Sequence, residues 1–138
     1  MAVVEEVIRA ESDGSLSFGN FKLDEKKKVS DFEHLGDTYK VKTYKDITKL
    51  EKNEAFVYES IPGTAVFNFR ETEEGVIFDV DAIEDAEITI GLEENVRYAV
   101  IIDGEYAESI TTGVGGKLSL NFASVEDEMT NIEIKKLN

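Results

Sequence analysis

VRYAVIIDGE, residues 96–105, contains both features on which the predicted architecture depends, an alternating strand and a tight turn. Its alternating apolar side chains are Val96, Tyr98, Val100 and Ile102. Side chains two residues apart lie on the same face of a β-strand, so the pattern predicts a strand with one buried face. The Asp103-Gly104 pair that follows favours a two-residue hairpin, because both positions must tolerate a positive φ angle.

The same alternation recurs through the second half of the chain. Apolar side chains occupy every second position in the runs 65–69, 76–80, 88–90, 118–122 and 132–134. Seven strands are predicted after Thr64, separated by turn residues at short and regular intervals. This spacing is typical of an all-β sandwich. We therefore predict a seven-stranded immunoglobulin-like or fibronectin-like sandwich over residues 63–138.

The first half is less regular but rich in hairpin signals. Turns are predicted at Ser12–Ser15, His34–Asp37 and Lys52–Glu54, each between two segments of strand character. The opening valines fit either a strand or one stripe of a short helix, and their β-branched side chains favour the strand. Pro62, in a predicted turn, separates this half from the next. We expect residues 1–62 to form a hairpin-rich β unit packed against the sandwich.

Composition excludes several classes of function. The chain of 138 residues has 30 acidic and 15 basic side chains, a formal net charge of −15 and no cysteine. A negative field repels nucleic acids and anionic membranes, so we expect neither as a partner. The lack of cysteine removes thiol catalysis and zinc–thiolate sites. No signal peptide is recognisable, so we expect a cytoplasmic protein, with export by another route left open.

The charge is distributed unevenly along the chain. Residues 1–62 carry 13 acidic and 10 basic side chains, whereas residues 63–138 carry 17 and 5. The basic residues of the first half include a triplet and a ladder, namely Lys26, Lys27, Lys28, Lys40, Lys42, Lys45, Lys49 and Lys52. The asymmetry predicts a non-catalytic structural or interaction protein that self-associates, with the basic half of one copy meeting the acidic half of another. Such a contact produces a ring or a filament.

Five lysines are the predicted self-association residues. They are Lys26, Lys27, Lys28, Lys40 and Lys42. Exposed strand edges near the two ends of the chain, at 3–10 and 132–137, are expected to reinforce the contact by adding a strand to a neighbouring sheet.

An acidic segment, residues 79–87, is a candidate calcium site. Calcium takes six to eight oxygen ligands, which clustered carboxylates supply. The candidate ligands are Asp79, Asp81, Glu84 and Asp85. The alternative is a solvated acidic edge that discourages aggregation, since the spacing does not match an EF-hand loop. Calcium is thus the one candidate cofactor.

Carbohydrate binding is the alternative function. Aromatic rings suit the C–H surfaces of sugars, and the first half places Tyr39, Tyr44 and Tyr58 on predicted strands. The same tyrosines also fit the edge of a hydrophobic core with wetted hydroxyl groups. Hydrolytic chemistry has weaker support, because His34 is the only histidine and has no partner motif. We predict no catalytic residue.

Two resemblances bear on function. Residues 95–105 followed by 116–122 resemble the rhythm of small sandwich modules that are often appended to polysaccharide-degrading enzymes. Through the stretches 13–19, 39–43, 47–51 and 59–64, the whole chain resembles a group of short bacterial proteins labelled endosialidase. That resemblance implies a glycosidase acting on sialic acid polymers. Sialidase sites use several arginines, whereas this chain offers three on separate predicted strands, Arg9, Arg70 and Arg97, so no catalytic residue is carried over.

Overall fold

Two antiparallel β-sheets form the protein. The structure is a computed structural model that describes residues 2–137, and all regular secondary structure within that range is β-strand. The prediction of an all-β sandwich is therefore confirmed. The strands are β1 (Ile8–Ala10), β2 (Leu16–Phe18), β3 (Lys27–His34), β4 (Asp37–Tyr44), β5 (Ile47–Lys52), β6 (Ala55–Ile61), β7 (Ala65–Glu71), β8 (Gly75–Asp81), β9 (Ala86–Gly91), β10 (Arg97–Ile102), β11 (Glu105–Thr111), β12 (Lys117–Phe122) and β13 (Thr130–Lys136). Over the described range no helix is long and apolar enough to cross a membrane.

Both sheets combine strands from the two halves of the chain. The larger sheet has the order β1-β2-β7-β8-β13-β10-β11, and the smaller has the order β12-β9-β6-β5-β4-β3. The seven strands predicted after residue 63 are β7 to β13, of which five lie in the larger sheet and two in the smaller. The strands of residues 1–62 are hydrogen-bonded to these strands edge to edge, so both sheets extend across the predicted boundary at Pro62.

The buried core also crosses that boundary. The Tyr58 ring on β6 packs edge-on against Phe18 of β2 and Phe78 of β8, with ring centroids 5.3 and 5.8 Å apart. Because β2 and β8 belong to the larger sheet and β6 to the smaller, these aromatic side chains join the two sheets. Buried side chains from both halves belong to the same hydrophobic cluster.

The predicted hairpin turns are confirmed in detail. Two-residue turns join β3 to β4 at Leu35-Gly36, β5 to β6 at Asn53-Glu54, and β10 to β11 at Asp103-Gly104. Both residues of each turn have positive φ, between 50° and 85°. This conformation matches the right-handed twist of the flanking strands, which is why turn residues in the sequence located these hairpins correctly.

The opening segment differs from the predicted strand. Only Ile8–Ala10 is a strand, because the chain turns sharply beforehand, with the Val7 amide donating to the Val4 carbonyl over 2.9 Å. Val4 packs with Phe21, Ala65 and Phe67 in a second, smaller cluster. Ala65 and Phe67 flank Val66, which belongs to the main core, so this cluster covers the outer face of the larger sheet at β7.

Four strands form the edges of the two sheets. They are β1 and β11 in the larger sheet and β3 and β12 in the smaller. The expected edge near the start of the chain is therefore present at β1. The expected edge at residues 132–137 is wrong, since β13 lies between β8 and β10. Its apolar residues Ile132 and Ile134 are almost fully buried in the core.

Candidate functional site

A row of lysines crosses the outer face of the smaller sheet. Tyr39, Val41 and Thr43 of β4 are buried toward the core, so the residues between them point outward. On that outer face Lys42 lies directly opposite Lys28 of β3 on one side and Lys49 of β5 on the other. We call Lys28, Lys42 and Lys49 the lysine ladder. Glu59 of β6, opposite Lys49, ends the row.

The lysine ladder is an unfavourable arrangement for the isolated chain. Like charges directly opposite each other on neighbouring strands destabilise a sheet. Partial burial lowers the pKa of the Lys42 amine, and the charges of Lys26, Lys49 and Lys28 lower it further. Within residues 2–137, neither Lys28 nor Lys42 forms an ion pair within 4.0 Å, and Lys49 reaches Glu51 only at 4.0 Å. A protein with a net charge of −15 therefore concentrates positive charge here, and Glu51 and Glu59 beside Lys49 compensate it only in part.

Four of the five lysines predicted for self-association gather on this face. Lys28 and Lys42 belong to the ladder, and Lys40 lies on the same side of β4. Lys26 is close enough to lower the pKa of Lys42, and its ammonium lies 5.7 Å from the centre of the Tyr44 ring. Lys27 is the exception. It is opposite the buried Thr43, so it points to the other side of the sheet, because successive strand residues alternate in direction.

Two adjoining grooves lie along the lysine face. One of about 150 Å³ is bounded by the lysine ladder together with Lys40 and Glu51. The other, of about 530 Å³, shares Lys40 and Glu51 and extends to Ser30 and Asp31. A β-bulge between Val29 and Phe32, with Asp31 at φ 58°, locally disrupts β3 at that point. The bulge gives the outer face a concave surface lined by both signs of charge.

Acidic residues near the start of β9 and beyond the end of β12 lie at one end of the smaller sheet. Glu87 of β9 is opposite Asn121 of β12 on the outer face. The Asp85 carboxylate accepts a hydrogen bond of 2.9 Å from the Ser124 amide, just beyond β12. The segment 126–128 follows in the same loop. We call Asp85, Glu87 and residues 126–128 the acidic end.

Three of the four candidate calcium ligands have separate hydrogen-bond partners. Asp81 is buried and accepts hydrogen bonds from the Ala2 and Ala82 amides, each over 2.9 Å. Asp79 accepts one of 2.9 Å from the Asn131 side chain, and Asp85 belongs to the acidic end. Glu84 is exposed. Among the residues the structure describes, no three or more histidines and acids are grouped as a metal would require, and calcium binding stays a prediction.

The three tyrosines predicted for glycan binding do not share a surface. Tyr58 is completely buried and its hydroxyl lies 2.7 Å from the Thr64 hydroxyl, so the expectation that its ring meets a ligand is corrected. Burial also raises the pKa of the Tyr58 phenol. Tyr39 points into the core, whereas Tyr44 lies half-buried beneath Lys26, on the opposite side of the same strand. Alternation along β4 alone separates these two rings.

His34 connects two hairpins. Its Nε2 atom lies 2.8 Å from the Gly14 carbonyl oxygen, which ties the β3–β4 hairpin to the turn between β1 and β2. A groove of about 290 Å³ beside it contains the Asp13–Arg70 ion pair at 2.7 Å and the Lys52–Glu71 pair at 3.2 Å. The charged groups in this groove are paired with one another. Such pairing is typical of a contact that holds the two sheets together rather than of a ligand site.

No family model matches the chain, and no curated protein and no solved structure matches it either. The assignment of function therefore rests on the surface chemistry described above.

Proposed function

We propose that the protein is a non-catalytic structural or interaction protein that self-associates, with the lysine face of one copy against the acidic end of the next. The lysine ladder is the observation that carries this proposal. Three like charges on adjacent strands cost stability in the free chain. The cost is offset when an acidic surface covers them, because opposite charges then lie within a few ångströms.

The second copy supplies the most suitable acidic surface. The acidic end lies beside β12 and β9, at the opposite edge of the smaller sheet from β3, where the lysine face begins. Basic and acidic surfaces at opposite edges give a heterologous contact, in which each copy offers a different surface to each of its two neighbours. Repetition of that contact produces a ring when the rotation closes and a filament when it does not.

Sedimentation velocity over a protein-concentration series tests the proposal. We expect species larger than a monomer at low salt, decreasing as salt rises, because exposed charges are screened. Lys42→Glu should remove these species at low salt. Its matched control is Lys135→Glu, which changes the net charge equally on the larger sheet. A wild-type monomer at every concentration and salt, or equal effects of both variants, would contradict self-association.

Carbohydrate binding is the second candidate, supported by the groove of about 530 Å³. Its lining includes the polar residues Thr38, Asn53 and Glu54. Hydroxyl, amide and carboxylate groups around a shallow groove suit sugar hydroxyls. A glycan panel run with calcium and with chelator tests it, and a separate assay for turnover of sialylated polymers tests the endosialidase-type activity. Binding that Glu54→Ala leaves unchanged would exclude this groove.

A further inference from the structure

The two free edges of the smaller sheet differ in how far they are protected against pairing. Strand β12 keeps an unbroken register with β9 over all six residues. Its outward-pointing residues after Lys117 are the uncharged Ser119 and Asn121. Natural edge strands are commonly blunted by charges, prolines or bulges, and β12 has only the single lysine at its start. Strand β12 is therefore an open edge for another strand.

The direction of the free backbone groups of β12 follows from its first hydrogen bond. The Leu92 amide donates to the Gly116 carbonyl over 2.8 Å, one position beyond the Lys117–Gly91 pair. Hydrogen-bonded and non-bonded pairs alternate along an antiparallel ladder. Leu118 and Leu120 therefore bond to β9, whereas the N–H and C=O groups of Lys117, Ser119 and Asn121 point to the free edge.

The same reasoning applies to β3 at the other edge. The Asn53 amide donates to the Thr38 carbonyl over 2.7 Å, so the backbone groups of Thr38 point toward β5. Glu33 is directly opposite Thr38 and forms a non-bonded pair with it. The backbone N–H and C=O of Glu33 consequently point away from the sheet, to the free edge of β3.

Strand direction makes the two edges compatible. Every neighbouring pair in the six-stranded sheet is antiparallel, so β12 and β3 run in opposite directions within one copy. A second copy placed beside the first in the same orientation then brings its β12 antiparallel to β3. The alternation of strand directions continues from copy to copy, with neighbouring strands about 4.8 Å apart.

We propose that β3 of one copy pairs antiparallel with β12 of the next copy, with Glu33 directly opposite Lys117. This inference deepens the self-association proposed above and rests on it. In this register the free backbone groups of Glu33 and Lys117 face each other. In the single chain the Lys117 ammonium lies 4.5 Å from the centre of the Phe56 ring, so it turns from that ring toward Glu33 when the strands pair. One alignment then satisfies the backbone groups and brings the two opposite charges together.

The remaining residues agree with the same register. Phe32 is opposite Leu118 and Val29 is opposite Leu120, with the Ser30-Asp31 bulge spanning the position between them. Phe32 and Val29 are only partly buried against the core, because no strand covers them on the free side of β3. Leu118 and Leu120 face the core of their own copy. The apolar layer therefore continues across the contact without a change of face.

The lysine ladder also extends into the acidic end in this register. Lys28 is opposite Asn121 of the next copy, and Glu87 of that copy lies one strand further in the same row. The long side chain of Lys28 spans the distance of two strands with its ammonium toward Glu87. Edge pairing thus adds a carboxylate near Lys28, whereas Glu51 and Glu59 lie beside Lys49 at the other end of the ladder.

Charge reversal at the Glu33–Lys117 pair tests the register by sedimentation velocity at low salt. Glu33→Lys and Lys117→Glu should each weaken association about tenfold, because each replaces attraction with repulsion. The double variant should recover most of the wild-type association. The control Glu108→Lys is on β11, an edge of the other sheet, and should leave association unweakened. Failure of the double variant to recover would overturn the proposed register.

A proline at Ser119 tests the use of the edge itself. Ser119→Pro removes an N–H that points to the free edge and leaves the ladder to β9 intact, so the variant should fold and remain monomeric. Ser119→Ala is the control, since it also loses the 2.9 Å contact with the Thr89 hydroxyl but keeps the N–H. Circular dichroism checks folding, and if the proline variant unfolds, the charge-reversal series decides the question.

The outcomes separate this inference from the proposed function. A wild type that never assembles contradicts both. A wild type that assembles while Ser119→Pro and both charge reversals assemble equally well leaves self-association standing and excludes the β3–β12 contact. Sensitivity to Lys117→Glu and Ser119→Pro with indifference to Glu33→Lys would instead indicate two β12 strands paired with each other.

Discussion

Lys28 lies directly opposite Lys42 on the outer face of the smaller sheet, with Lys49 opposite Lys42 on the other side. Three adjacent strands thus each contribute a positive charge to one row. The fold brings these residues together from sequence separations of 14 and 7 positions. Since the arrangement opposes the stability of the free chain, it is the feature of the surface that most needs a functional explanation.

Replacing the central lysine of the ladder should stabilise the monomer. We expect Lys42→Met to raise the free energy of unfolding by about 0.2–1 kcal/mol, because it removes two like-charge neighbours. Urea unfolding at low salt, at a dilution where the chain is monomeric, measures the change. Lys40→Met is the matched control, since Lys40 is opposite Glu51 and its loss removes an attraction. Equal stability of the two variants would contradict the repulsion.

Removing the buried carboxylate of Asp81 should loosen the start of the chain. Asp81 accepts hydrogen bonds from the backbone amides of Ala2 and Ala82, and both amides would lose this partner. The expected loss in the free energy of unfolding is about 1–3 kcal/mol. Thermal unfolding of Asp81→Ala measures this loss, and limited proteolysis should detect faster cleavage near Val4. The exposed Glu84 provides the control, because Glu84→Ala should change stability by less than about 0.5 kcal/mol.

The Tyr58 hydroxyl should contribute measurably to the core. Tyr58→Phe removes the hydrogen bond to Thr64, whose hydroxyl keeps Ser60 as a partner at 2.8 Å. The expected loss is about 0.5–1.5 kcal/mol in the free energy of unfolding, measured in urea. Tyr106→Phe, on an exposed side chain, should have no comparable effect. Because burial raises the pKa of Tyr58, its phenol should also stay protonated in the folded protein while exposed tyrosines ionise.

Acid should weaken the turn region around Glu11. The Ser17 hydroxyl lowers the pKa of the Glu11 carboxyl below its usual 4.5, and Arg9 lowers it further. A carboxyl group with a lowered pKa adds stability above its unfolded value and loses it as the pH falls through the folded value. The stability difference between wild type and Glu11→Gln should therefore shrink below pH 4.5. Urea unfolding across that range measures it.

Removing the Ser17 hydroxyl tests whether it is the cause of the lowered Glu11 pKa. Ser17→Ala removes the main cause of the lowered pKa, so Glu11→Gln should matter less at neutral pH in that background. Undiminished sensitivity to Glu11→Gln would mean that the Ser17 hydroxyl is not responsible.

Part of the candidate site was predictable because it depends on local order. Alternation along β4 places Lys40 and Lys42 together on the face away from the core, whatever the neighbouring strands are. That Lys27, and not Lys26 and Lys28, lies on the core side of β3 was not predictable, because it depends on register with the buried Thr43 across the hairpin. Tyr58 likewise gave no local signal of its burial, which arises from packing against Phe18 and Phe78 of the other sheet.

Most of the strands and turns could be predicted from the order of residues along the chain. Alternation of apolar residues defined strands such as β8 and β12, and pairs such as Asp103-Gly104 located the hairpins, since both features depend on residues close together in the chain. Which strands are neighbours depends instead on contacts between distant parts of the chain. The tertiary structure placed β13 inside the larger sheet and left β12 and β3 as free edges, because non-local pairing follows from how distant apolar faces share one core.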